Sequence, residues 1–292
     1  MDSNLLAIGL PAALAIIMFG LGLSLTVADF ARIGREPRPV AIALAAQLLI
    51  LPALCFALVS MADVDPLLAV GMMLLAASPG GTTANLFSHL FRGDVALNIT
   101  LTAVNSVIAV ITLPVVVNLA VHYFDPEGAD EIGLQFAKTV QVFAIVLIPV
   151  AIGMFVRRAR PGFAHAADKP VRIASALVLA LVIVGAMLAE RENLGDYLAD
   201  IGLIACLFCA ISLAIGYVLP RAFGVNGPQS LSSAFEVGIH NSTLAIAVAV
   251  SVLDNETLAV PAAVYGVVMF PIALAAGFLL TRGNAQTSTA AH

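Results

Sequence analysis

Apolar residues fall along this chain in stretches of about twenty, the length a helix needs to cross a bilayer, set apart by short charged or Pro/Gly-rich interruptions. Cutting at those interruptions predicts nine segments, at approximately 5–27, 39–61, 66–91, 95–122, 133–156, 171–189, 198–219, 229–252 and 257–281. Two of them are broken. The third is interrupted by Ser78-Pro79-Gly80-Gly81-Thr82-Thr83-Ala84-Asn85, where proline lacks its amide donor and paired glycines favour non-helical backbone. The eighth contains Glu236-Val237-Gly238-Ile239-His240-Asn241-Ser242-Thr243, with a charge and a glycine ahead of three residues suited to cap a new helix.

Non-helical backbone at membrane depth is tolerated only where protein or a water-filled cavity satisfies its polar groups, so both breaks are expected at an interior site. They lie five segments apart, and an odd separation threads the second through the bilayer in the opposite direction, as in an inverted repeat. Each break is followed about thirty residues later by a proline in the next segment, Pro114 and Pro271. Corresponding interruptions in two inverted halves point to the site of a secondary transporter. The halves run over about 1–124 and 130–292, and the first, with four segments, lacks the opening member of a five-helix unit.

Composition agrees with a membrane protein. Hydrophobic residues make up 61% of the chain and charged residues 11%, against roughly a quarter charged in soluble domains. The spans nearly consume the 292 residues, so residues 1–292 read as one membrane domain without a soluble appendage. With the N-terminus outside, Arg32, Arg35, Arg38, Arg92, Arg157, Arg158, Arg160, Lys169, Arg172, Arg221 and Arg282 all fall on the cytoplasmic side. Only Lys138 and Arg191 fall outside, while acids such as Asp63, Asp125, Glu192 and Asp254 collect there. The C-terminus is then cytoplasmic, and short loops without organelle-targeting features suit a bacterial inner membrane. The first segment begins Met1-Asp2-Ser3, without a basic start, and reads as a retained span rather than a signal peptide. Cys55, Cys206 and Cys209 lie inside spans and read as small packing residues. No Rossmann, Walker or zinc-protease motif is present, and the acidic balance implies no nucleic-acid partner. No obligate protein partner and no organic cofactor are indicated.

Glu236 is the one carboxylate, of eighteen, that lies inside a long apolar segment, and no Lys or Arg occurs within twelve residues of it. A charged carboxylate held out of water costs several kcal/mol unless compensated. An ionisable group at that depth is a functional candidate, and a bound cation is its natural partner.

Pro79-Gly80-Gly81-Thr82 with Asn85, then Arg92-Gly93-Asp94-Val95-Ala96-Leu97, and later Glu236-Val237-Gly238-Ile239-His240-Asn241, resemble the bile acid:sodium symporter family from about Ile16 to Leu280. The resemblance implies an all-α polytopic membrane protein in a nine-helix form, with two broken helices crossing in a core domain that moves against a panel domain. It implies sodium-coupled symport of a monovalent organic anion, bile acid-like or a small carboxylate such as pantoate or pyruvate, and no enzyme activity. The sodium ligands it implies are, for a first site, Asn85, Asn98 and Thr102 with Glu236, all oxygen donors of the kind a hard cation takes. A serine common in the family is Ala84 here, and Asn98 replaces another frequent serine. For a second site the implied ligands are Glu236, the carbonyls of Val237 and Ile239, the Gln47 amide and residue 240. Residue 240 is His240 where the family usually has glutamine, and an imidazole offers nitrogen and titrates near neutral pH. Proton coupling through Glu236 and His240 is therefore an alternative to the second sodium.

Thr82 and Thr83 are expected to cap the restarted helix and to aim free amides at an anionic substrate, with Asn241, Ser242 and Thr243 facing the same cavity. Asn105 and Asn118 read as inter-helix hydrogen-bonding residues rather than ligands. A receptor or channel on the same architecture is a further alternative. An intramembrane enzyme using Glu236 and His240 is remote, because Gly238 makes one continuous helical face between them unlikely and no nucleophile has a placed partner.

Overall fold

The computed structural model describes residues 25–126, 136–167 and 194–289, with parts of 15–23 and 170–177. The first fourteen residues and almost all of the sixth predicted segment lie outside the described residues. The described elements are helical throughout, apart from a single isolated β-bridge. They are α1 (Val27–Ala31), α2 (Pro37–Met61), α3 (Pro66–Ala77), α4 (Thr82–Leu90), α5 (Val95–Phe124) and α6 (Phe136–Ala159). After these come α7 (Leu194–Ala222), α8 (Gly227–Gly238), α9 (Ser242–Ser251) and α10 (Val260–Thr289).

Among the described residues four stretches are long and apolar enough to cross a membrane, Pro37–Met61, Val95–Phe124, Ile201–Ala222 and Thr257–Thr281. The pairs α3/α4 and α8/α9 are the two broken segments, each half too short to span alone. The first half of each pair, α3 and α8, is deeply interior. Every residue of α3 from Leu68 to Ala77 is buried, and so is every residue of α8 from Ser230 to Gly238. A helix buried all round has no solvent or lipid face, so its polar groups must be met by protein or by a ligand.

The starts of these helices are set by short polar residues ahead of proline or apolar runs. Asp65 accepts the Leu67 amide at 2.9 Å with Pro66 as the first helical residue, and Asn226 accepts the Gln229 amide at 2.9 Å. The Arg92-Gly93-Asp94 turn has a local reason for each residue. Arg92 takes a left-handed backbone (φ 60°) to reverse the chain, and Gly93 leaves room for the Ser232 hydroxyl. Asp94 caps α5 by accepting the Leu97 amide at 3.0 Å.

α2 departs from a regular helix at a π-turn, Ala46–Ile50. Pro52 has no amide to donate to the preceding turn, and the Leu51 amide instead reaches five residues back to the Ala46 carbonyl. The turn carries Gln47, which is buried. Elsewhere small residues bring backbones together. A Cβ at Gly22 or Gly153 would overlap the Val150 and Phe19 carbonyls respectively, so the 15–23 region lies directly on α6, a close approach of the small-residue kind found between membrane helices.

Candidate functional site, a buried carboxylate where two broken helices meet

Both breaks follow from their local sequence. Ser78 precedes Pro79 and is pushed to an extended conformation (φ −71°, ψ 143°), so α3 ends at Ala77. The Ser78 hydroxyl then donates to the Leu75 carbonyl at 2.7 Å. In the second break the helix runs on through Gly238, and the chain leaves it at Ile239, whose amide still donates to Phe235 at 2.9 Å. Asn241 starts α9 by accepting the Leu244 amide at 3.0 Å. The two breaks pair with each other. The Asn241 amide donates to the Pro79 carbonyl at 2.8 Å, and Gly80 and His240 form an antiparallel bridge. Backbone groups freed by each break are thus partly satisfied by the other.

Glu236 lies at this junction and is fully buried. Thr102 of α5 donates its hydroxyl to Oε2 at 2.6 Å, Asn105 donates Nδ2 to Oε1 at 3.3 Å, and the Gly80 backbone amide also donates to the carboxylate. Gly80 is packed so closely that a Cβ there would fall on the carboxylate. Among the described residues the ion pairs are those of Arg32, so Glu236 has polar donors and no cationic partner.

Four amide oxygens are buried without a hydrogen-bond partner, Oε1 of Gln47 and Oδ1 of Asn85, Asn98 and Asn105. Each such orphan costs about 1–3 kcal/mol, and amide oxygens are donors of the kind a hard cation takes; of the four residues, Asn105 is the one in contact with the carboxylate. Asn98 shows how the bare oxygen is set, since its Nδ2 is consumed by the Ser88 hydroxyl at 2.7 Å and the Ser232 carbonyl at 2.9 Å.

A second cluster adjoins the first. Gln47 Nε2 donates to the Ser78 carbonyl at 2.9 Å, and His240 Nδ1 lies 3.2 Å from that same carbonyl and 3.4 Å from Gln47 Nε2. With Nδ1–H donating to Ser78, the neutral imidazole carries its lone pair on Nε2, which is buried and unpartnered. The ring is sandwiched against Phe208 at 5.3 Å and meets the Tyr265 ring edge-on at 5.5 Å. The Gly238 carbonyl, between the expected ligand carbonyls of Val237 and Ile239, is already taken by the Tyr265 hydroxyl at 2.8 Å and the Cys209 thiol at 3.7 Å.

The expected helix cap on α4 is corrected. The N-cap is Gly81, with no side chain to offer, and Thr82 and Thr83 are the first two residues inside the helix. Thr82 is exposed and Thr83 half-buried, so the first amides of α4 are left without a side-chain cap. Across the junction Asn241 and Thr243 are half-buried, while Ser242 is buried beside Gly266 with an unpartnered hydroxyl.

Asn105 is the residue that sequence reading set aside, yet it touches the carboxylate. A signal for it exists in the spacing, because Asn98, Thr102 and Asn105 stand at i, i+4 and i+7 and share one face of α5. Asn105→Leu removes one donor and one bare oxygen while keeping the branched shape of the side chain, and a roughly tenfold rise in the sodium concentration for half-maximal uptake is expected. Sodium titration of uptake in proteoliposomes checks it.

These features define an all-helical membrane protein organised around a buried carboxylate where two broken helices pair. The sequence model of the Sodium Bile acid symporter family matches residues 11–196, and the chain belongs to that family. It is 28% identical over 254 residues to the uncharacterized sodium-dependent transporter YocS of Bacillus subtilis, covering 87% of this chain and 77% of that one. It is 29% identical over 258 residues to the probable sodium/metabolite cotransporter BASS1, chloroplastic, of Arabidopsis thaliana, covering 87% of this chain and 62% of the plant protein. It is 26% identical over 248 residues to the human ileal sodium/bile acid cotransporter, covering 83% of this chain and 69% of that one. The chain thus spans less than two thirds of the plant relative's length. These relatives are named as transporters and cotransporters, not as enzymes, and sodium appears in all three names.

Proposed function

We propose that this protein is a secondary active transporter that couples sodium entry to uptake of a monovalent organic anion by alternating access. The observation that carries this reading is Glu236, fully buried where the two breaks pair and, among the described residues, without a basic partner. Sodium held by Glu236, Asn85, Asn98 and Thr102 neutralises the carboxylate and ties α4, α5 and α8 together where the two broken helices cross. The uncapped start of α4 at Thr82 and Thr83, with Asn241, Ser242 and Thr243 opposite, then offers backbone amides and a positive helix end to the anion. Bile acids and small carboxylates such as pantoate or pyruvate are the candidate substrates, in keeping with relatives named for bile acid and for metabolites.

In this reading nine spans form two inverted halves, about 1–124 and 130–292, within one membrane domain. The broken helices and their neighbours make the core and the remaining spans the panel. The N-terminus is outside and the C-terminus cytoplasmic, in a bacterial inner membrane. Proteoliposomes loaded with an inward sodium gradient should accumulate one anion from a panel of radiolabelled taurocholate, pantoate and pyruvate. Failure of every anion to accumulate would move the reading to a ligand-binding receptor or a channel on the same fold.

The bare Nε2 of His240 favours a second form of coupling, in which a proton on the imidazole replaces the second sodium held by Gln47, Val237, Ile239 and residue 240. His240→Gln should then flatten the pH profile of uptake and raise its sodium dependence. An unchanged profile with unchanged sodium dependence rules the proton out.

A further inference from the structure

At the far end of the broken helices from the carboxylate lies a groove of about 650 Å³. Its walls are Leu90 and Phe91 at the end of α4, Leu231 of α8 and Phe278 of α10, and its polar contributors include Arg92 and Arg221. It is separate from the junction. Leu90 is eight residues from Thr82 along α4, about 12 Å at the rise of an α-helix, and none of the residues placed at the junction lines it.

The walls are built to stay in place. Phe91 is buried, packs edge-on against Phe278 at 5.2 Å, and stacks on Phe235 at 5.7 Å. Gly277 makes room for its ring, since a Cβ there would overlap it. Leu90 and Phe278 are 59% and 53% exposed, so the apolar side of the groove opens outward in a protein whose surround is lipid.

The two arginines differ from their neighbour Arg32. Arg32 contacts Asp94 at 2.8 Å and Glu36 at 2.9 Å, and its charge is matched. Among the described residues neither Arg92 nor Arg221 has an ion-pair partner, both are exposed, and no carboxylate lines the groove. Arg221 is anchored by one donor, Nη1 to the Val225 carbonyl at 3.2 Å, which leaves the rest of its guanidinium fork open. Arg92 is held at the mouth by its left-handed turn. An apolar trough open to lipid, with two unmatched guanidinium groups at the end of the helices, is complementary to a molecule with an acyl chain and a phosphodiester. Arginine prefers that headgroup because its fork binds phosphate oxygens in pairs.

We infer that this groove is a binding site for an anionic glycerophospholipid, its headgroup phosphate between Arg92 and Arg221 and one acyl chain along Leu90, Phe91 and Phe278. Thermal unfolding of the full chain in a neutral detergent, titrated separately with dioleoylphosphatidylglycerol, dioleoylphosphatidylcholine and glycerol phosphate, tests it, with native mass spectrometry reporting retained lipid. Phosphatidylglycerol should raise the melting temperature saturably and remain bound at one copy, whereas the zwitterionic lipid and glycerol phosphate should not. Arg92→Gln/Arg221→Gln should weaken the phosphatidylglycerol response about 30-fold, from two lost headgroup charges. Thr281→Phe, which fills the groove without touching a charge, should remove the response as well and decides the matter if the double variant does not fold. An equal response from phosphatidylcholine, a response from glycerol phosphate alone, or an undiminished phosphatidylglycerol response in either variant overturns the assignment.

Discussion

Replacing Glu236 by glutamine is expected to abolish sodium-stimulated uptake while leaving the protein inserted and folded. Glutamine preserves the volume between Thr102, Asn105 and Gly80 and removes the charge that a cation needs. Among the described residues the carboxylate has no cationic partner, so in the sodium-free fold its desolvation cost offsets the bonds it accepts from Thr102 and Asn105, and its loss is close to neutral there. In sodium-free buffer the variant therefore unfolds close to the temperature of the parent. Sodium reverses the comparison. A ligand that binds only the folded state stabilises by about 2.7 kcal/mol at a hundred times its Kd, and the parent should show a sodium-dependent rise in melting temperature that the variant lacks. Uptake and unfolding measured on the same preparations check both parts. Sodium-stimulated uptake that survives in Glu236→Gln would overturn the assignment of Glu236 as the sodium carboxylate.

Gly80→Ala is expected to be nearly as severe, although it adds a single methyl group and no charge. That carbon would fall on the Glu236 carboxylate, and one of the two must move. The backbone at Gly80 is held by its bridge to His240 and by the neighbouring bond from the Asn241 amide to Pro79. The carboxylate is the free end of a side chain, so it is the part that yields, breaking its contacts with Thr102 and Asn105. Losing a charge-assisted hydrogen bond costs about 1.5–3 kcal/mol, which corresponds to a tenfold to hundredfold loss of apparent sodium affinity for each bond broken. Insertion and helix content should be retained, since the surrounding half-helices are otherwise unchanged. The measurement is the sodium dependence of uptake beside circular dichroism. A Gly80→Ala variant with parental sodium affinity would mean that the carboxylate does not have to stay where Thr102 and Asn105 hold it.

Residue types alone made a good part of the fold legible. The Pro79-Gly80-Gly81 run favours a break because proline removes an amide donor and biases the residue before it away from helix, with two non-helical glycines following, and α3 ends at Ala77. Glu236 was legible for the same kind of reason, as a carboxylate inside an apolar segment needs a compensating partner. Thr102 illustrates this, standing directly on Glu236. Asn105 was passed over because an asparagine in a membrane helix bonds a neighbouring helix more often than a ligand. Its role depended on which face of α5 meets α8, something helical spacing narrows and only packing decides. The cap on α4 was misplaced by one residue, since threonines cap well in general, but the geometry after Pro79 puts Gly81 at that position.

Local chemistry, then, determined where helices start and stop, which segments are apolar enough for a bilayer, and that Glu236 needs a partner, because each of these depends on neighbours within a few residues. The tertiary structure decided what no local rule carries. It brought Pro79 to Asn241 and Gly80 to His240 across more than a hundred and fifty residues, faced Asn105 to the carboxylate, and laid the His240 ring between Phe208 and Tyr265. It also left Arg92 and Arg221 without an ion-pair partner among the described residues, beside an apolar groove, while Arg32 found two acids. Those outcomes rest on how buried helices pack, where the position of one side chain is set by all of its neighbours at once.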